Sequence, residues 1–228
     1  MSSHNRKNQT DELVTKGHAR LKSGDYEQAL KLFSRAAAFY EQNSDPRGQA
    51  TQLQTIADIY RLTERIDQAV ETYSKLIGLF ERLGDEDGKV QVLSNLGLLQ
   101  AMRNKYQAAL DCFQKALEIS EKLGNKPYMA QQLGNIGSSY RDMNENESAL
   151  ESYMNALPLY EELGHGEGAA DQCTNIAYIL AREDRMEEAL NWYEKALPLY
   201  IEIKNQEKVQ LTEQNINNLK THLGLKVE

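Results

Sequence analysis

Cysteine, proline, basic charge and long apolar runs are all scarce in this 228-residue chain. Each scarcity excludes something. Cys112 and Cys173 are too few for a disulfide framework, so two reduced thiols in a cytoplasmic protein are expected. No stretch approaches the roughly 20 apolar residues of a membrane helix. Residues Met1 to Thr10 are polar throughout, which is no secretory signal, and they read as a disordered tail. The four prolines are not clustered and no serine-rich or glycine-rich linker breaks the chain, so one continuous body is expected. Acidic residues outnumber basic ones, 34 to 26, for a net charge of −8. That balance argues against nucleic acid and against an acidic membrane surface as partners.

Chemistry-bearing clusters are missing too. None of His4, His18, His165 and His222 pairs with another histidine or a cysteine at metal-ligand spacing. The run Gly164-His165-Gly166-Glu167-Gly168 superficially suggests a phosphate loop. No strand precedes it, no lysine follows at the required spacing, and Gly84-Asp85-Glu86-Asp87-Gly88 occupies the same register. A turn is expected there. Cys173 shares an apolar column with Leu93 and Leu133 and is expected in the core. Cys112 shares one with Thr72, Ser152 and Trp192, and nothing nearby would activate it. The expectation is no catalytic residue, no metal and no cofactor.

What the chain does have is a repeat. Ala29, Ala69, Ala109, Ala149 and Ala189 stand 40 residues apart, each followed by Leu or Val. Four residues after each comes an aromatic: Phe33, Tyr73, Phe113, Tyr153, Tyr193. A fixed period in this range marks stacked supersecondary units. Within a unit, apolar residues recur at three and four, the helical spacing. In the third unit Leu93, Leu96 and Gly97 mark one helix, and Ala109, Leu110 and Phe113 mark another. The short polar link Arg103-Asn104-Lys105 turns the second back antiparallel.

Gly17, Ala57, Gly97, Gly137 and Ala177 form a small column on the first helices, permitting close crossing against the alanine column of the second. Gly84, Gly124 and Gly164 are placed as left-handed caps ending second helices. Pro158 and Pro198 fall at matching positions inside helical patterns and are expected to bend them. The units read as residues 11–45, 46–85, 86–125, 126–165 and 166–205. A capping helix follows at 206–222, with Val209, Ile216, Leu219 and Leu223 on its apolar side. The array ends at 223, and 224–228 is a tail.

The pattern Leu-x-x-(Leu/Ile)-Gly-x-x-Tyr followed by Ala-x-x-x-aromatic resembles the tetratricopeptide repeat. It is fullest in Leu133, Ile136, Gly137, Tyr140, Ala149 and Tyr153, and it covers Asp11 to His222. The usual period is about 34. The period of 40 here is similar to a longer-helix subclass found in spindle-orientation adaptors, kinesin light chains and bacterial peptide-pheromone receptors. The resemblance implies an all-α, right-handed superhelical solenoid of five helix-turn-helix units plus the C-terminal capping helix, its first helices lining a concave groove. It also implies a non-catalytic adaptor or scaffold binding a protein or peptide ligand in that groove.

One column on the first helices stands out: Thr15, Thr55, Asn95, Asn135, Asn175, Asn215. Helix propensity does not explain four asparagines in register, since asparagine is a weak helix former. Each amide can donate to and accept from a peptide backbone. Asparagines at this position bind peptide backbones in the resembled subclass. The other reading is that they bond to the neighbouring helix and set the superhelical pitch.

Residues one turn away would confer selectivity. Leu98 and Met102 share the face of Asn95, Ser138 and Asp142 that of Asn135, and Tyr178 and Arg182 that of Asn175. Arg61 and Arg141 occupy matching positions near helix ends, where they would hold acidic ligand groups or be ordinary surface arginines. The carboxylate clamp of chaperone-binding tetratricopeptide domains is not matched, because its positions hold Val14, His18, Thr55, Gln91 and Asn95. Two further functions stay open: self-association of copies of the chain as a homo-oligomeric scaffold, and a peptide-responsive regulatory receptor.

Overall fold

The computed structural model describes residues 3–226, with side chains from Gln9 onward. Eleven helices, and no strand, occur among them. They run in order α1 (Ser3–Lys22), α2 (Tyr26–Gln42), α3 (Pro46–Leu62), α4 (Ile66–Leu83), α5 (Glu86–Met102) and α6 (Tyr106–Leu123). The remaining helices are α7 (Lys126–Asp142), α8 (Asn146–Glu162), α9 (Gly166–Arg182), α10 (Met186–Glu202) and α11 (Gln206–His222). These bounds reproduce the five expected repeats and the terminal helix.

One expectation needs correction. The stretch read as a disordered tail is helical from Ser3 onward, and Thr10 is buried; only Met1 and Ser2 lie outside the described residues. Its polar sequence concealed this, because helix α1 needs apolar residues only where it meets α2. The chain divides into two compact units, Met1–Leu99 and Gln100–Glu228. In a repeat array each helix packs mainly on its neighbours in sequence, so no distant residues tie the ends together.

In the first part α1 packs on α2, α2 on α3 and α3 on α4. Ala29, Leu30, Phe33, Ile56 and Ile59 form a core there. In the second part each helix from α6 to α11 packs on the next. Ala149, Tyr153, Ile176, Ala177, Ala189 and Tyr193 anchor its main core, which extends to Ile216 and Leu219 of α11. All five period-defining alanines have no exposed surface, and the five aromatics four residues on are buried. Burying each such ring stabilises by about 1.5–3 kcal/mol before entropy is counted.

The expected glycine caps are present: Gly84, Gly124 and Gly164 are left-handed, at φ 65°, 65° and 64°. First helices begin on side-chain caps in one column. Asp45, Asp85, Asn125 and Asn205 each accept from the backbone N–H three residues on. His165 does the same for α9, its Nδ1 accepting from Gly168 N at 2.9 Å. The glycine-rich run beginning at Gly164 is therefore a turn and a helix start. Helices α8 and α10 continue through Pro158 and Pro198.

Candidate partner-docking site

Asn95 lies on α5 in the first part; Asn135, Asn175 and Asn215 lie on α7, α9 and α11 in the second. All four are half-buried, so none is sealed between helices. None of their side chains hydrogen-bonds to another described residue, and the Asn135 Nδ2 is buried without a partner. Leaving a buried amide unpaired costs about 1–3 kcal/mol.

In the second part an open pocket of about 270 Å³ is lined by Tyr178, Ala181, Arg182, Tyr193, Asn215, Asn218 and Leu219. It brings together three of the expected residues: Tyr178, Arg182 and Asn215. Tyr178 is 46% exposed, unusual for an aromatic outside an interface. The Arg182 guanidinium carbon lies 5.7 Å from its ring centroid, within cation–π range. Arg182 Nη2 also donates to Asn144 Oδ1 at 3.1 Å. Asn144 sits in the turn between α7 and α8, at φ 61°.

Next to Asn175 on α9, Asp171 anchors a polar network. Its Oδ1 accepts from the Tyr200 hydroxyl at 2.5 Å and from Lys208 Nζ at 2.8 Å. Thr174 Oγ1 lies 3.2 Å from the same hydroxyl. Burial, and then the Asp171 carboxylate, push ionisation of Tyr200 well above the ordinary phenol range, so it remains a donor.

The other expected residues are spread more widely. Leu98, in the first part, and Met102, in the second, are both exposed. Arg61 is exposed near the Tyr73 hydroxyl. Arg141 is committed elsewhere: its Nε and Nη2 both donate to Asp142 Oδ1, at 2.9 and 2.8 Å, so a carboxylate already meets its charge.

Sequence reading missed several residues. Asn218 and Leu211, the latter 52% exposed, flank Asn215 at three and four residues, a spacing that could have revealed them. It also missed a structural role for the column containing Tyr178. Asp58 accepts from Tyr73 at 3.0 Å, the Tyr153 hydroxyl donates to Ser138 at 3.1 Å, and His18 lies edge-on to Phe33. In each case the column residue covers the aromatic 15 positions later. Gln52, Gln132 and Gln172 share one position of the repeat, are buried, and have Oε1 atoms without partners among the described residues; they were not anticipated.

A larger hollow of about 700 Å³ lies in the first part among α2, α3 and α4. Small side chains at Ser34, Ala38, Ser74 and Gly78 leave it open. Its walls carry both charge signs, from Glu41 and Glu71 to Lys75 and Arg82, and it contains no ladder amide. The smaller pocket has the more selective chemistry. Cys173 is buried and its thiol is pushed up to about 11 by desolvation, while half-buried Cys112 is raised for the same reason. Neither is activated as a nucleophile. No cluster of three His, Cys, Asp or Glu side chains that could hold a metal ion occurs among the described residues, and no described helix is long and apolar enough to cross a membrane.

Helical hairpins packed on their neighbours, with uncommitted amides in register, define a repeat-built interaction scaffold. Residues 13–82, 49–122 and 90–162 match one sequence model of the tetratricopeptide repeat, and residues 169–203 match a second. The chain belongs to the tetratricopeptide repeat family. Among solved structures it is similar to the apo form of RapI, with a TM-score of 0.80 and 17% identity over 95% of this chain and 83% of that one. It is also similar to a putative kinesin light chain from Podospora anserina, with a TM-score of 0.69 and 12% identity over 90% of this chain and 100% of that one. A third is a Rap protein complexed with Competence and Sporulation Factor, with a TM-score of 0.67 and 15% identity over 93% of this chain and 63% of that one. At these identities the likeness is one of fold. No curated protein sequence matches the chain.

Proposed function

We propose that this protein is a non-catalytic cytoplasmic adaptor that binds an extended segment of a partner protein on its first helices. The observation that carries the reading is the row Asn135, Asn175 and Asn215: half-buried, in register, and making no side-chain bond to their own fold. The buried Asn135 Nδ2 without a partner lowers stability, and a peptide backbone supplies both a donor and an acceptor to such an amide. Neighbouring helices pack about 8–10 Å apart and an extended chain rises about 3.3 Å per residue. An extended segment crossing first helices at such a spacing would meet an amide about every third residue. Each bond contributes about 0.5–1.5 kcal/mol net, which gives grip without reading sequence. A similarly folded Rap protein has been solved with a bound factor, which supports occupancy of such a scaffold by a ligand.

The test uses a pool of random synthetic octapeptides captured on the full chain. Replacing Asn135 and Asn175 together by alanine is expected to weaken binding of captured peptides about tenfold, two bonds' worth. The melting temperature should stay within a degree or two. Asn155→Ala, on the exposed side of α8, serves as the control and should change neither. A fall in melting temperature that parallels the loss of binding would show the amides to be structural.

A further inference from the structure

The pocket between α9 and α11 holds a positive charge that the fold does not neutralise. Arg20, Arg65, Arg141 and Arg185 each pair with a carboxylate, whereas Arg182, like Arg35, Arg47, Arg61 and Arg82, forms no ion pair among the described residues. No carboxylate lines its pocket. The side chain is nonetheless held in place, over the Tyr178 ring and against Asn144 Oδ1. One of its five N–H donors is used there, and the rest are free for a planar acceptor. An arginine already ordered in its own fold loses less freedom on binding.

The rest of the pocket is apolar at its base and amide at its rim. Tyr193 and Leu219 are buried, Ala181 is half-buried, and Asn215 and Asn218 stand beside them. A volume of about 270 Å³ falls just below the range of small-molecule sites, about 300–1,000 Å³. It suits one side chain better than a cofactor. In an extended peptide, residues two apart point the same way and lie about 6.6 Å apart.

We propose that this pocket selects an extended partner segment with an apolar side chain and, two residues away, an aspartate or glutamate that pairs with Arg182. The inference rests on the peptide-binding reading above and adds the sequence feature being read. The apolar side chain fills the space over Tyr193 and Leu219, and the carboxylate takes the free edge of the guanidinium. Asn215 and Asn218 bond the backbone between them.

The experiment captures random octapeptides on the full chain from two pools, one acetylated and amidated at its ends, the other with a free terminal carboxylate. The blocked pool should yield peptides enriched in an apolar residue spaced two from Asp or Glu. Arg182→Gln should weaken such a peptide about tenfold, leave melting unchanged and remove the acidic preference while keeping the apolar one. Changing the peptide's Asp to Asn should cost about as much on the native chain and almost nothing on the R182Q variant.

Capture without acidic enrichment, or the same sequences selected by R182Q, overturns the proposal and leaves the peptide-binding reading intact. Enrichment confined to the free-carboxylate pool also overturns it, in favour of terminal recognition. If the native chain captures no peptide from either pool, both readings fall.

Discussion

A methyl group has no room at Gly137. A Cβ there would lie 2.6 Å from Cε1 of Tyr153, a ring with no exposed surface whose hydroxyl is bonded to Ser138. Gly17 meets Phe33 in the same way, at 2.8 Å. Gly137→Ala is therefore predicted to lower stability by about 1–3 kcal/mol, read from urea unfolding, with helical content unchanged. An unaltered midpoint would show that Tyr153 is free to move. A second set of close contacts joins successive repeats: a Cβ on Gly48, Gly88 or Gly168 would lie 2.3, 2.7 or 2.4 Å from Tyr40, Phe80 or Tyr160. At the junction between the third and fourth repeats the sizes reverse, with Ser120 on the second helix and Tyr128 eight residues on. At the next junction after Tyr160, Lys208 lies over Tyr200 at 5.6 Å. This complementarity is written in the sequence, but at a lag of eight across a turn, where a search for helical spacing does not look.

Between the helices, left-handed residues recur every 20 positions, twice per repeat: Gly24, Ser44, Glu64, Gly84, Asn104, Gly124, Asn144, Gly164, Asp184, Lys204 and Gly224. Each follows a helix of at least 17 residues. The turns at Gly84, Gly124 and Gly164 were legible because glycine is the residue that reaches positive φ without cost; those at Gly24 and Gly224 were not singled out. Asn104, Asn144 and Asp184 carry a weaker signal, since short polar side chains tolerate the conformation, while serine, glutamate and lysine announce nothing of it. An L-residue pays about 1–2 kcal/mol in this region, partly offset when the replacement is glycine, which loses more freedom on folding. Lys204→Gly is accordingly predicted to raise the urea midpoint, by roughly 0.5–1 kcal/mol of stability. A lowered midpoint would mean that the Lys204 side chain contributes a contact larger than the backbone strain. The start of α1 was hidden for a related reason: an outer helix has one neighbour, so its sequence carries half the apolar signal of an inner one.

Across the whole chain the fold was legible because the same information is stated five times. One repeat with an alanine, a following leucine and an aromatic four residues on would be ambiguous; five in register at 40 residues are not. The site was legible only in part. The asparagine column could be read because it too repeats. The pocket joining Tyr178, Arg182 and Asn215 could not, since it depends on non-repeating side chains and on a turn residue, Asn144, from the preceding repeat. On the proposed reading the same distinction would separate scaffold from selectivity: the repeated amides would grip any backbone, and the unrepeated residues would choose among side chains. The central claim is that those amides make their bonds to a ligand, and nuclear magnetic resonance of the side-chain NH₂ groups observes them directly. On titration with a peptide captured from the random pool, the NH₂ resonances of Asn135, Asn175 and Asn215 should shift, while those of Asn155 on α8 remain still. Saturating peptide that moves other resonances of the protein but leaves all three ladder amides in place would contradict it.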